Sequence, residues 1–205
     1  MSASEMEGVV LIHGRYASGA AMAPLAKALG LDGLAVAAPD ATGGSWWPTS
    51  FLAPMAEMDA PLTAALDAVE AQIASLDVPR DRVALVGFSQ GACLALEYAA
   101  RRGVGLGAAI GFSGGLVGTA DRGAPADSLY GHADKAFDYG TDPGGVSILV
   151  TCHERDPHIP ITRVQDSARA LEGLGAAVLS IEHAGAGHQP MPDGIAAARA
   201  MLTMG

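Results

Sequence analysis

The chain has 205 residues, enough for one sizeable core and short for two ordinary domains. Half of its residues are hydrophobic, yet no apolar run reaches the roughly 18 residues of a membrane-spanning helix, so the apolar content belongs to a buried core. A formal charge of −10 excludes a protein that tracks nucleic-acid phosphates, and it disfavours acidic substrates and anionic membranes.

The first residues, Met1 to Gly8, carry Glu5 and Glu7 and lack a basic start followed by an apolar signal region, so a cytoplasmic location is expected. Gly8-Val-Val-Leu-Ile-His13 is a short continuous apolar run, the pattern of a strand buried on both faces. Ser18 to Leu29 has helical spacing with Gly30 in the stop position, and Leu34 to Ala38 reads as a second strand ended by Pro39-Asp40. Asp59 is expected to cap a helix whose apolar face is Leu62, Leu66, Val69, Ile73 and Leu76, ending before Pro79. A strand over Val83 to Phe88 leads to a helix over Gly91 to Arg102, closed by Gly103. Further strands are expected at Ala108 to Phe112, Ser147 to Cys152 and Ala177 to Glu182, with helices at about Ile161 to Leu174 and Gly194 to Met204.

Strands alternating with helices imply a mostly parallel central sheet flanked by helices on both faces, because each parallel connection crosses over through a helix. We read residues 1–205 as a single domain without internal repeats. The stretch from Leu116 to Gly145 breaks the pattern: it is rich in Gly, Asp and Ala, with Pro125, Tyr130, Phe137, Tyr139 and Pro143 interspersed. A loop this long is usually functional, and it is expected to border the substrate site. Cys93 and Cys152 read as buried, reduced thiols.

Chemistry enters at Gly87-Phe-Ser89-Gln-Gly91, a G-x-S-x-G sequence whose glycines permit the tight turn that lifts a serine hydroxyl above a sheet edge. The same pattern occurs again at Gly111-Phe-Ser113-Gly-Gly115. A nucleophile turn needs a helix directly after the serine. The residues after Ser89 are good helix formers, whereas those after Ser113 are glycines, so Ser89 is the candidate nucleophile and Ser113 a strand-end residue that could line the site. A serine needs a base and a group that orients the base, in the chain order Ser, acid, His for this type of sheet. The fifth strand runs into His153-Glu-Arg-Asp156-Pro and the sixth into His183-Ala-Gly-Ala-Gly-His188, which delivers candidates to the edge that carries Ser89. Asp156 is preferred to Glu154. Glycines 185 and 187 give His188 freedom to reach the serine, so it is preferred to His183, His158 and His153.

With His13-Gly14 after the first strand, Gly-Phe-Ser-Gln-Gly-Ala at 87–92, Asp156-Pro-His-Ile-Pro160 and Gly187-His188, the sequence resembles the phospholipase/carboxylesterase family of small α/β-hydrolases over nearly its whole length. That family includes bacterial carboxylesterases and acyl-protein thioesterases. The resemblance implies the α/β-hydrolase fold, a Ser89, Asp156 and His188 triad, and an oxyanion hole of the backbone N–H groups of Arg15 and Gln90. It also implies an acyl-side wall at Trp46 and Trp47, for which plain packing is the competing reading; Tyr16 and Ser113 join them as candidate substrate-binding residues. Two departures stand out: Arg15-Tyr-Ala-Ser follows His13-Gly14 where the family commonly has a glycine and an acidic residue, and Glu154 follows His153 where a glycine is usual.

The activity this implies is a serine ester hydrolase working through an acyl-enzyme on small to medium acyl esters, with an acyl thioesterase or lysophospholipase as the alternative on the same residues. No cofactor is required. The expected partner is a small-molecule ester or thioester, with no nucleic acid and no transmembrane segment, and a homodimer is left open. Two other readings compete: a metal-assisted hydrolase using His153, Asp156 and His158, since imidazole and carboxylate suit zinc or iron, and a non-catalytic small-molecule binder.

Overall fold

The computed structural model describes residues 5–123 and 131–203. Met1, Pro125, Tyr130 and Met204, to which the sequence reading gave places, lie outside the described residues. Six strands occur among the described residues: β1 (Gly8–Ile12), β2 (Ala35–Ala37), β3 (Val83–Phe88), β4 (Ala108–Phe112), β5 (Ser147–Arg155) and β6 (Ala177–Ala186). Five α-helices accompany them: α1 (Ala23–Leu29), α2 (Met55–Ser75), α3 (Gln90–Arg102), α4 (Ile161–Gly173) and α5 (Pro192–Thr203).

The strands form one sheet in the order β2-β1-β3-β4-β5-β6, and every neighbouring pair is parallel. This is the parallel sheet expected from the alternation of elements and the α/β-hydrolase fold implied by the family resemblance. Side chains leave the sheet alternately on two sides. Val10, Ile12 and Leu85 join the buried faces of α2, α3 and α4 in one core, while Val9, Leu11 and Val86 join α1 and α5 in a second. The strand order reverses between β1 and β3, so their connections leave in opposite directions and open a crevice past their carboxyl ends. Ser89 and His13-Gly14 both follow these two strands.

Several boundaries differ from expectation for identifiable reasons. α2 begins at Met55 with Pro54 at its N-cap, so Asp59 lies inside the helix and does not cap it. Its buried face is the expected one, with Leu62, Leu66, Val69 and Ile73, whereas Leu76 sits at the C-cap. The first helical stretch divides into a 3-10 turn over Gly19–Met22 and α1, which Gly30 closes in the left-handed conformation at φ 68°. β6 continues past Glu182 to Ala186 because β5 also continues, pairing Cys152 with Glu182 and His153 with His183 before a bulge at His153/Arg155. Sheet pairing there outweighs the local signal of Gly185.

The described part of the 116–145 loop is irregular but anchored. Leu116, Val117 and Thr119 are buried. The fully buried Glu97 accepts from the Val117 N–H at 3.0 Å and the Tyr139 hydroxyl at 3.0 Å, and it pairs with Arg101 at 2.7 Å and Lys135 at 3.5 Å. Burial pushes the Lys135 amine down and the Tyr139 phenol up from their ordinary ranges. From α4, the buried Arg163 donates to the carbonyls of Leu116 and Gly118 at 3.1 and 2.7 Å. No described helix is long and apolar enough to cross a membrane.

Candidate active site

β3 ends at Phe88 and α3 starts at Gln90, leaving Ser89 alone between them at φ 54°, ψ −118°. For a residue with a Cβ this is a strained conformation, costing on the order of 1–3 kcal/mol. The flanking glycines make it attainable. A Cβ at Gly87 would stand 2.1 Å from the Gly91 carbonyl oxygen, and one at Gly91 would stand 2.0 Å from that of Ile12. Strand and helix can therefore meet this closely only if both positions lack side chains. The Ser89 N–H donates to the Phe112 carbonyl at 2.9 Å, which ties the turn to the end of β4.

The chain ends of β5 and β6 bring two further groups to this turn. His188 Nε2 lies 3.0 Å from Ser89 Oγ, and His188 Nδ1 lies 2.7 Å from Asp156 Oδ2. A carboxylate accepts only, so the facing Nδ1 carries the proton and the Nε2 lone pair faces the serine hydroxyl. The Asp156 side chain is fully buried, and its Oδ1 accepts from the N–H groups of His158 and Ile159 at 2.8 and 3.0 Å. Burial pushes the Asp156 carboxyl up, but the hydrogen bonds from His188, His158 and Ile159 outweigh it and hold the group below the usual carboxylate range. The Cys152 thiol adds a longer contact to Oδ2 at 3.6 Å, and burial together with Asp156 pushes that thiol up to about 12. Cys93 is likewise raised to about 12 by burial; both cysteines are free and buried, as expected.

On the β1 side, the buried His13 donates from Nδ1 to the Gly14 carbonyl at 2.7 Å and accepts at Nε2 from the Ala41 N–H at 3.0 Å, which fixes one neutral tautomer. The Gln90 side chain accepts from the Trp46 N–H at 3.0 Å and donates to the Trp47 carbonyl at 2.9 Å. The sequence pointed only to the backbone of Gln90, so this clamp was missed. The peptide N–H groups of Arg15 and Gln90 find no acceptor among the described residues, and Gln90 is the first residue of α3, where the helix dipole favours negative charge.

These elements surround a cavity of about 700 Å³ that includes Ser89 and His188. Arg15, Gln90, Tyr16 and Trp47 line it. Trp46 does not: it is buried behind the wall, where its indole N–H donates to the His13 carbonyl at 2.9 Å and its ring stacks on His13 at 5.1 Å. Ser113 does not line it either, being 1% exposed beneath α3. The described residues of the 116–145 loop also stay off this cavity, because Glu97 and Arg163 hold them on the α3–α4 side. Met22, Phe51 and Ile159 add to the apolar lining; Met22 and Phe51 belong to no motif, so only the folded chain reveals them, whereas Ile159 lies in the Asp156-to-Pro160 segment.

The competing acids and histidines are placed elsewhere. Glu154 is exposed and accepts from the Gly185 N–H at 3.3 Å, and His183 lies within β6, 3.3 Å from Asp193. His153 is buried with its ring centroid 5.3 Å from that of His183. His153, Asp156 and His158 do not converge on a common point: among the described residues no group of three such side chains could hold a metal ion. His158 instead meets the His188 ring edge-on at 4.8 Å.

Comparisons with known proteins bear on the family and the fold. The sequence model of the phospholipase/carboxylesterase family matches residues 3–124. The crystal structure of a phospholipase/carboxylesterase from Dyadobacter fermentans is 32% identical, with 98% of each chain covered and a TM-score of 0.79. Two more distant structures share the fold: esterase PE8 at 24% identity (98% of this chain, 93% of that one, TM-score 0.73) and a carboxylesterase from Mesorhizobium loti at 19% (96% and 88%, TM-score 0.72). No curated protein matches the sequence.

Proposed function

The chain belongs to the phospholipase/carboxylesterase family and is an ester-bond hydrolase; from that premise we propose that Ser89, His188 and Asp156 are its catalytic triad. The observation that carries the proposal is the unbroken hydrogen-bonded series from Ser89 Oγ through His188 to Asp156, at 3.0 and 2.7 Å. Ser89 attacks the acyl carbonyl while His188 Nε2 takes its proton. Asp156 holds the imidazole in the required tautomer and stabilises the imidazolium. The N–H groups of Arg15 and Gln90 receive the oxyanion, at the positive end of α3. His188 then protonates the departing alcohol, leaving an acyl-enzyme that water, deprotonated by the same histidine, resolves.

The apolar wall of Trp47, Phe51, Met22 and Ile159 suits a small to medium acyl group, and a 700 Å³ cavity is of the size that takes small molecules. An acyl thioester or a lysophospholipid would use the same residues. We read residues 1–205 as one domain, supported by a single sheet with a core on each side. The test is labelling with a serine-directed fluorophosphonate followed by peptide mapping. Modification of Ser89 with loss of aryl-ester hydrolysis, and insensitivity of the untreated enzyme to a chelator, are expected. Modification of Ser113 in its place, or hydrolysis abolished by the chelator alone, would overturn the assignment. Rates along an acyl series, as oxygen and sulfur esters, would then separate the substrate classes.

A further inference from the structure

Arg15 stands at the mouth of the Ser89 cavity with an unusual set of neighbours. One of its terminal nitrogens donates to the Pro48 carbonyl, and its guanidinium lies over the Tyr16 ring, 4.9 Å from the centroid. Pro48 sits between Trp47 and Thr49, both of which line the cavity, so the guanidinium bridges from the β1 loop to the opposite rim. Tyr16 is held at φ 60°, its N–H donating to the Gly44 carbonyl at 2.6 Å, and the residue is 78% exposed. A strained, outward-turned tyrosine backing an arginine is a local arrangement that packing does not require.

The charge balance at this rim is opposite to that of the chain. The protein has 22 acidic and 12 basic residues, and Arg80, Arg82, Arg101, Arg102 and Arg169 each pair with a carboxylate. Arg15 pairs with none among the described residues, and no aspartate or glutamate lines the cavity. A guanidinium offers five donors in a planar fork, of which the Pro48 carbonyl occupies one. The remaining edge can take a carboxylate or phosphate in two-point fashion. The expectation from net charge, that acidic substrates are disfavoured, describes the far field, which salt screens beyond about 10 Å. Contact with Arg15 is short-range and decides binding inside the cavity.

We propose that Arg15 is an anion-binding subsite beside the reacting carbonyl, and that the preferred esters carry a carboxylate or phosphate group within reach of it. The proposal rests on the reading of Ser89 as nucleophile. It deepens that reading by assigning a substrate class. The anion can belong to the acyl part or to the alcohol part, and the two are separable.

The test uses two matched pairs of substrates. One pair is a 4-nitrophenyl ester of a five-carbon acyl chain with and without a terminal carboxylate. The other is the acetyl ester of 3-(4-hydroxyphenyl)propanoate against that of the corresponding propanamide. The ratio of kcat/KM for the anionic member to that for the neutral member is compared between the native enzyme and Arg15→Gln. We expect the ratio to fall about tenfold or more in the variant for at least one pair, as loss of a charge-assisted contact requires. The pair that responds identifies which side of the ester carries the anion. As a measure independent of the variant's folding, the same ratio in the native enzyme should drop several-fold between low salt and 0.5 M salt. Ratios that stay within twofold across variant and salt, with the neutral esters still hydrolysed, would overturn the subsite alone. Absence of turnover for all four esters by the native enzyme would overturn the Ser89 reading and the subsite with it.

Discussion

The turn after β3 and the turn after β4 are nearly the same object. Each follows a strand ending in Gly-Phe, each holds a serine at positive φ (54° at Ser89, 55° at Ser113), and each serine N–H donates to the neighbouring strand, to Phe112 at 2.9 Å and Thr151 at 2.7 Å respectively. They differ in what comes next. Ser89 opens α3 and stays half-exposed beneath His188; Ser113 is followed by Gly114, which lies so close under α3 that a Cβ there would stand 2.5 Å from that of Ala92. The strained turn is thus a product of a parallel strand end and its flanking glycines. What sets Ser89 apart, and supports its proposed reactivity, is a base within reach, a helix end behind the serine and an open cavity in front of it. Positive φ at a serine does not by itself mark a nucleophile.

Experiments can press on this contrast in order of expected effect. Ser89→Ala should lower kcat on an aryl ester by about 10⁶, the scale on which such serines fail when removed. A residual rate close to the native one would put the nucleophile elsewhere. Asp156→Asn should cost about 10⁴ in kcat by stabilising the wrong imidazole tautomer, read by steady-state kinetics.

The same variant has a pH signature in stability. Because the folded-state carboxyl of Asp156 is held below its unfolded value, its stabilisation is fully present above the unfolded pKa and disappears as pH falls through the folded one. The gap in unfolding free energy between native enzyme and Asp156→Asn should therefore be largest near neutral pH and close below about pH 4. A gap independent of pH would mean that the hydrogen bonds to Asp156 do not favour its charged form.

Glu97→Gln tests the Ser113 side. Breaking a buried charge cluster by removing one partner should cost about 3 kcal/mol in denaturant unfolding, with kcat within about twofold, because the loop that Glu97 anchors stays off the cavity. A collapse of kcat at full stability would show that the loop reaches the site after all. The smallest effect is expected for Ser113→Ala, about 0.5 kcal/mol in stability with activity unchanged.

The parts of this molecule that follow from local spacing were legible in the sequence. The buried strands and the face of α2 depend on residue type at fixed intervals, while Ser89, Asp156 and His188 are singled out by a short motif, by the chain order of the strands that carries them to one edge, and by the family resemblance. Long-range partners were not legible. β6 runs past Glu182 and through Gly185 because β5 supplies a partner up to Arg155, a pairing that no window on residues 177–188 contains. Trp46 and Trp47 are adjacent and chemically identical, yet one lines the cavity and the other sits behind it, a choice made by the His13 carbonyl and the Gln90 amide. The 116–145 loop was expected at the substrate because long loops often are; two buried charges, Glu97 and Arg163, draw its described part away, and both lie in other elements.

The clamp at Gln90 has a practical consequence for redesign. Its backbone lies at the turn that holds Ser89 while its amide holds the strip at residues 45–47, so turn and pocket wall are one rigid unit and not two exchangeable modules. Transplanting that strip from another esterase would disturb the serine unless the donor presented the same N–H and carbonyl to the amide. Laboratory evolution of acyl preference has more room at Met22 and Phe51, which face the cavity without being tied to Gln90.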